Sequence, residues 1–261
     1  CYRYMREHLP VHKVKMVGIG IYATARYEDC LTVIKDERFA RNRTKVTGGS
    51  RFPVPLPANL RLVGESMIVE LDLVSGESIS NAFSKIRSEV GDPEVLIYNA
   101  GYLEGRDLPP DKELLEYIPD EMFETAQHIA SRGPFLVAKE VLPSMRERGE
   151  GSFLISNNQF SLRGKKRYTG QSLYYPRVMM RTLAQVLTEE YSEHGVHVAN
   201  VIIDGLIDSP GTRALPTAQE QPDIVINPVK IAEAFYYLHT QDKSCWTHEI
   251  QLTAYPTKPS Y

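Results

Sequence analysis

Tyr174, Tyr175, Pro176 and Arg177 set a phenol and a permanently charged guanidinium three positions apart, an interval that shares one helix face. Such a pair can move a proton, because the cation favours the phenolate and brings the phenol closer to a useful acid. Pro176 is tolerated only in a first helical turn, so the spacing predicts a helix that begins near Tyr174 and runs to Tyr191. Upstream, Ser152–Ile155 reads as a strand leading into a polar turn that contains Asn157 and Asn158. The Asn158 amide is a candidate for hydrogen-bonding a carbonyl oxygen. The basic run Lys165-Lys166-Arg167 between turn and helix reads as a solvated loop. In open α/β sheets ligands bind outside the carboxyl ends of the strands, and that is where this turn is expected.

The rest of the chain must hold these groups. Val11–Val17 alternates as a first strand and runs into Gly18-Ile19-Gly20-Ile21-Tyr22-Ala23, a G-x-G-x-x-A pattern. Gly18 and Gly20 are candidates for admitting a pyrophosphate at the N-terminus of a helix over Ile21–Cys30; plain turn glycines are the alternative. Leu31–Lys35 reads as a second strand. Arg38, Arg41 and Arg43 then fall where a dinucleotide fold recognises the ribose, and Arg41 there favours a 2′-phosphate; a solvated surface is the equal alternative. That makes NADP(H) the expected cofactor, with NAD(H) as the alternative.

Residues 44–63, with Gly48, Gly49, Pro53, Pro55 and Pro57, are expected as a long loop. Met67–Leu71 reads as a strand ending at Asp72, and Ser75 can cap a helix whose face is Ile79, Phe83, Ile86 and Val90. Val95–Tyr98 is a short strand, and Asp120–Arg146 a long helix interrupted near Gly133-Pro134. Val196–Ile203 is strongly β-patterned, Pro228–His239 is amphipathic, and Thr247–Leu252 supplies a last strand. Strands alternating with helices imply a parallel sheet covered on both faces. With right-handed crossovers, the expected fold is a doubly wound, Rossmann-like α/β sheet in a single domain over 1–261.

Composition narrows the function classes. The 261 residues are 42% hydrophobic and 24% charged, ordinary for a globular chain. A formal net charge of −3 offers no electrostatic case for nucleic acid or an anionic membrane. No apolar run has the length of a membrane span. Cys1, Cys30 and Cys245 are scattered without metal spacing, and His128, His194 and His197 lack matched partners, so no metal is expected. The cysteine usage points to a reducing, cytoplasmic setting.

Asn99-Ala100-Gly101 after a short buried strand resembles the Asn-Ala-Gly motif of the short-chain dehydrogenase/reductases. Asp72, Val201–Ser209, Ser161–Gly164 and Trp246–Glu249 are similar to further segments of that family, and the resemblance runs from about Met67 to Leu252. Residues 1–65 diverge: the family's Gly-x-x-x-Gly-x-Gly would need a glycine at Val14. The resemblance implies hydride transfer between a nicotinamide and a carbonyl or alcohol carbon of a small molecule. It places Asp72 at the adenine, and Asn99, Ala100, Gly101, Ile207 and Ser209 along the cofactor, with Asp204 where the family has a proline.

It also implies a catalytic Asn, Ser, Tyr and Lys. Those positions fall on Ala130, Asn158, Leu173 and Arg177 in this sequence. The residues leave several readings open. Tyr174 replaces the missing phenol, with Arg177 as its cation and Asn158 as the oxygen-orienting group. Otherwise the site is non-redox (lyase-, isomerase- or dehalogenase-like), or the chain is an inactive binding protein. The family also implies a homodimer or homotetramer built through the helices at 120–146 and 175–191.

Overall fold

The computed structural model describes residues 11–16, 19–24, 68–101, 115–162 and 176–260. The chain divides into two units, Cys1–Ile68 and Val69–Tyr261.

Within the first unit, β1 (Val11–Met16) and β2 (Ile19–Thr24) pair antiparallel, from Val11 opposite Thr24 to Met16 opposite Ile19. The expected helix over Ile21–Cys30 is therefore a strand at 19–24, and residues 25–30 lie outside the described residues. Ile19, Ile21 and Ala23 alternate with Gly20, Tyr22 and Thr24. That period-two pattern suits a hairpin partner for β1 better than a helix. Gly20 sits in β2.

Residues 68–71 carry no regular structure, where a strand was expected over Met67–Leu71, and Ile68 and Leu71 are exposed; the second unit starts at Val69. The chain then enters α1 (Gly76–Val90), capped by Ser75, whose hydroxyl accepts the Ser78 amide. β3 (Val95–Tyr98) follows. Next come α2 (Asp120–Gln127), one wide π-helical turn at His128–Arg132, and α3 (Gly133–Arg148). The interruption expected near Gly133-Pro134 is this wide turn. Pro134 has no N–H for the carbonyl of Ala130, and the Gly133 amide reaches five residues back to His128.

β4 (Gly151–Asn158), α4 (Pro176–Tyr191) and β5 (Val196–Ile203) form the middle of the unit. Short β6 (Leu206–Ile207), α5 (Pro210–Arg213), α6 (Pro216–Glu220) and β7 (Val225–Ile226) lead to α7 (Pro228–His239) and β8 (Glu249–Leu252).

The main sheet is four-stranded, in the order β3-β4-β5-β8, and every pairing is parallel. Burial on both faces explains why β5 reads Val-His-Val-Ala-Asn-Val-Ile-Ile, with all of it buried. On one face Ile79, Phe83, Val137, Val141, Met145, Met180 and Leu187 from α1, α3 and α4 pack on Phe153, Ile155 and Val198. On the other, Ile231, Phe235 and Leu238 of α7 pack on Leu154, Ala199 and Val201. Each fully buried side chain of this kind contributes roughly 1.5–3 kcal/mol. The layers align the carboxyl ends of β3, β4 and β5 along one edge.

Candidate functional site

β4 extends to Asn158, beyond the expected Ser152–Ile155, so Asn157 and Asn158 finish a strand rather than begin a loop. Alternation sends the two amides in different directions. Asn157 is buried and fully used: its amide nitrogen donates to the backbone carbonyl of Arg177 at 3.2 Å and to Asn200 Oδ1 at 3.2 Å. Its Oδ1 accepts the Asn158 backbone N–H at 3.0 Å. The Asn158 carboxamide oxygen caps the following turn by accepting the Phe160 amide at 3.1 Å. The Asn158 NH2 group is the remaining donor for a ligand oxygen.

Arg177 lies in the first turn of α4, and its guanidinium reaches across to the end of β3. A Cβ built on Gly101 would meet Arg177 Nη2 at 2.5 Å, so a side chain there would make the guanidinium move from this position. The same guanidinium acts on Tyr98, the last residue of β3. Burial holds the Tyr98 phenol well above its ordinary pKa, and the Arg177 charge only partly offsets this. The Tyr98 hydroxyl donates to the carbonyl of Ile129 in the π-helical turn. A neutral phenol committed to a carbonyl is no proton donor; it fixes the turn against the sheet.

Asn200 links these groups to the sheet edge. Its amide donates to Glu249 Oε2 at 2.9 Å, and Glu249 takes a two-pronged bond from Arg181, at 2.7 Å from Nε and 2.6 Å from Nη2. Burial pulls the Glu249 carboxyl upward, but the bonds from Arg181 and Asn200 bring it below the usual carboxylate range. Asp204, buried at the end of β5, accepts the Gln251 amide at 2.7 Å and the Ser260 backbone N–H at 2.6 Å. Ser260 also donates to Gln159 Oε1 at 3.3 Å, tying the C-terminal segment to the turn after β4.

Among the expected cofactor residues, Asn99 and Ile207 share the wall of a cavity of about 430 Å3, with Ile97, Leu154, Ile203 and Phe235. Ala100 and Gly101 follow at the same strand end. Ser209 lies past β6, where its hydroxyl caps α5 and donates to Thr212 Oγ1. The Asp72 carboxylate accepts the Val74 amide before α1. Apolar Ile207 and Ile203 with the Asn99 amide give the cavity an apolar wall that carries one polar amide. Gly20 lies in a strand instead of at a helix N-terminus, and Tyr174, Gly18 and Arg41 lie outside the described residues. Among the described residues, no group of His, Cys, Asp and Glu has the arrangement of a metal site.

Sequence reasoning missed Asn200, Glu249 and Tyr98, and met Asn157 only as part of a non-redox option. Asn200 had a signal, since an amide inside an apolar strand needs a polar partner.

Residues 57–249 match the family described as enoyl-(acyl carrier protein) reductase. This chain belongs to the short-chain dehydrogenase/reductase superfamily. It is 27% identical over 184 residues to the 3-oxoacyl-[acyl-carrier-protein] reductase MabA of Mycobacterium tuberculosis, covering 67% of this chain and 70% of that one. It is 26% identical over 179 residues to FabG of Pseudomonas aeruginosa, covering 68% and 67%. In fold it is similar to L-sorbose reductase from Gluconobacter frateurii, complexed with NADPH and L-sorbose (TM-score 0.61, 15% identity, 75% and 78% covered). An alcohol dehydrogenase from Thermococcus sibiricus, complexed with 5-hydroxy-NADP, gives a TM-score of 0.59 at 23% identity, with 73% and 75% covered. The doubly wound α/β fold and the superfamily expected from the residues are thus established. None of the helices among the described residues is long and apolar enough to cross a membrane.

Proposed function

We propose that this protein is an NADP(H)-linked oxidoreductase acting on a carbonyl or alcohol of a small molecule, with an altered proton-transfer group. The observation that carries the reading is the placement of the Arg177 guanidinium over Gly101, where the ends of β3 and β4 meet the start of α4. When bound, the dinucleotide supplies the hydride. Asn99, Ala100, Gly101, Ile207 and Ser209 would hold its nicotinamide end, and Asp72 its adenine end.

Asn158 donates its amide N–H to the substrate oxygen and orients it. Tyr174 protonates that oxygen, and Arg177 steadies the resulting phenolate with a charge that does not titrate near neutrality. Tyr98 cannot take that role, because its hydroxyl is bound to Ile129 and its proton is held tightly. A homodimer or homotetramer through α3 and α4 accompanies this reading, supported by exposed Phe135, Met179 and Val186.

A non-redox alternative draws on the strand conformation of Gly20, which departs from a pyrophosphate-binding helix start. In that case Arg177 and Asn158 stabilise an anionic intermediate. Fluorescence titration with NADPH separates the two. Saturable binding supports the oxidoreductase, and no binding up to millimolar NADPH removes it, leaving the non-redox catalyst and the inactive binding protein.

A further inference from the structure

Asn157 touches the backbone of two proposed catalytic residues at once: the Arg177 carbonyl through its amide nitrogen and the Asn158 N–H through its oxygen. We propose that Asn157 is a positioning residue that sets Arg177 against Asn158, and that Asn200 and Glu249 hold it in register from the sheet edge. The inference rests on the oxidoreductase reading above.

Two buried amides in one network are stable only if every donor finds an acceptor. Here the order is fixed. Asn157 donates to Asn200 Oδ1, Asn200 donates to Glu249, and Arg181 supplies both donors that the Glu249 carboxylate still accepts. Asn157 and Asn200 are 2% and 1% exposed, so water cannot replace a lost partner. An Asn157 amide turned end for end would point its oxygen at the Arg177 carbonyl and at Asn200 Oδ1, and its NH2 at the Asn158 N–H. Glu249 forbids this flip from two residues away, because it fixes which end of Asn200 faces Asn157. Arg181 lies one helical turn past Arg177 in α4, so the network grips the helix at two successive turns.

Asn200→Asp places two carboxylates face to face and breaks the chain. Adding Glu249→Gln restores a donor toward position 200, where the new carboxylate still accepts from Asn157; Arg181 keeps its Nη2 bond to the other oxygen and loses only the one from Nε. With NADPH and an α-diketone probe, Asn200→Asp is expected to lower kcat about tenfold or more, with KM within about twofold. The double variant recovers kcat to within about threefold. The Arg177 Nε–H resonance shifts in the single variant and returns in the double one.

Equal loss in both variants, or an unmoved Arg177 resonance in Asn200→Asp, overturns the inference. Glu249→Leu alone, which leaves Asn200 with no acceptor at a sheet-edge position 33% exposed, supplies the same readouts if Asn200→Asp does not fold: an unmoved Arg177 resonance there is again contradictory. If wild-type protein transfers no hydride from NADPH, the oxidoreductase reading fails, and the Arg177 resonance alone decides whether the clamp exists.

Discussion

The Arg177 guanidinium lies where a side chain on Gly101 would have to be, with Nη2 at 2.5 Å from the Cβ position. The contact links the start of α4 to the segment after β3, and the glycine of the Asn-Ala-Gly segment leaves the cation its present position. Gly101→Ala is expected to push the guanidinium away while leaving the fold intact, since Gly101 is exposed and its φ is not left-handed. Unfolding free energy changes by about 0.5 kcal/mol or less. NADPH-dependent turnover falls by about two orders of magnitude, because an ångström-scale displacement of a charged group costs that much. Urea melts and steady-state kinetics on the same sample check both halves.

Gly133 is crowded for a different reason. A Cβ there would come within 2.6 Å of the Tyr98 hydroxyl and 2.9 Å of the His128 carbonyl. Gly133→Ala is expected to destabilise the protein by about 1–3 kcal/mol, the usual cost of overpacking. Tyr98→Phe removes the hydroxyl and its bond to Ile129, for about 1 kcal/mol. In Tyr98→Phe/Gly133→Ala one of the two clashes is gone. The combined loss should therefore be smaller than the sum of the single losses, a coupling that denaturant titration of the four proteins reads directly.

His197, 2% exposed in β5, faces two backbone carbonyls, Leu238 at 3.0 Å from Nδ1 and Thr247 at 2.9 Å from Nε2, and stacks on Trp246 at 4.9 Å. Burial lowers its pKa most; the Thr247 carbonyl opposes this, His248 adds to the lowering, the Leu238 carbonyl opposes it, and His239 lowers it further. The folded state therefore binds fewer protons than the unfolded chain, whose histidine titrates near 6.5. Stability from this residue is present above about pH 6.5 and is lost as pH falls from there through the lowered folded-state value. Urea unfolding at pH 8 and at pH 5.5 should show the decline, and His197→Gln should flatten it.

Much of the fold was legible because periodicity and punctuation agree. Val95–Tyr98, Val196–Ile203 and Pro228–His239 form where the pattern put them, and Ser75 caps α1 as its position before an apolar-periodic run suggested. Ile21–Thr24 misled because G-x-G-x-x-A carries no record of its partner, and pairing with β1 decides between helix and strand. Residues 68–71 misled in the same way, since β-branched residues alone do not make a strand. Arg177 and Asn158 were named through the family resemblance, and their part in the chemistry is a proposal. The Asn157–Asn200–Glu249 chain was not legible, because its members lie 43 and 49 positions apart and meet only through the parallel register of β4, β5 and β8.

Proton donation by Tyr174 beside the Arg177 cation must accompany hydride transfer if this protein is an NADP(H)-linked oxidoreductase. NADPH carrying deuterium at the transferable C4 position, incubated with an α-diketone, tests it by mass spectrometry of the alcohol. Wild-type protein should place deuterium on the carbinol carbon, and Tyr174→Phe should lower that rate by at least about a hundredfold. Equal deuterium transfer by wild type and Tyr174→Phe, or none by wild type, would contradict the account.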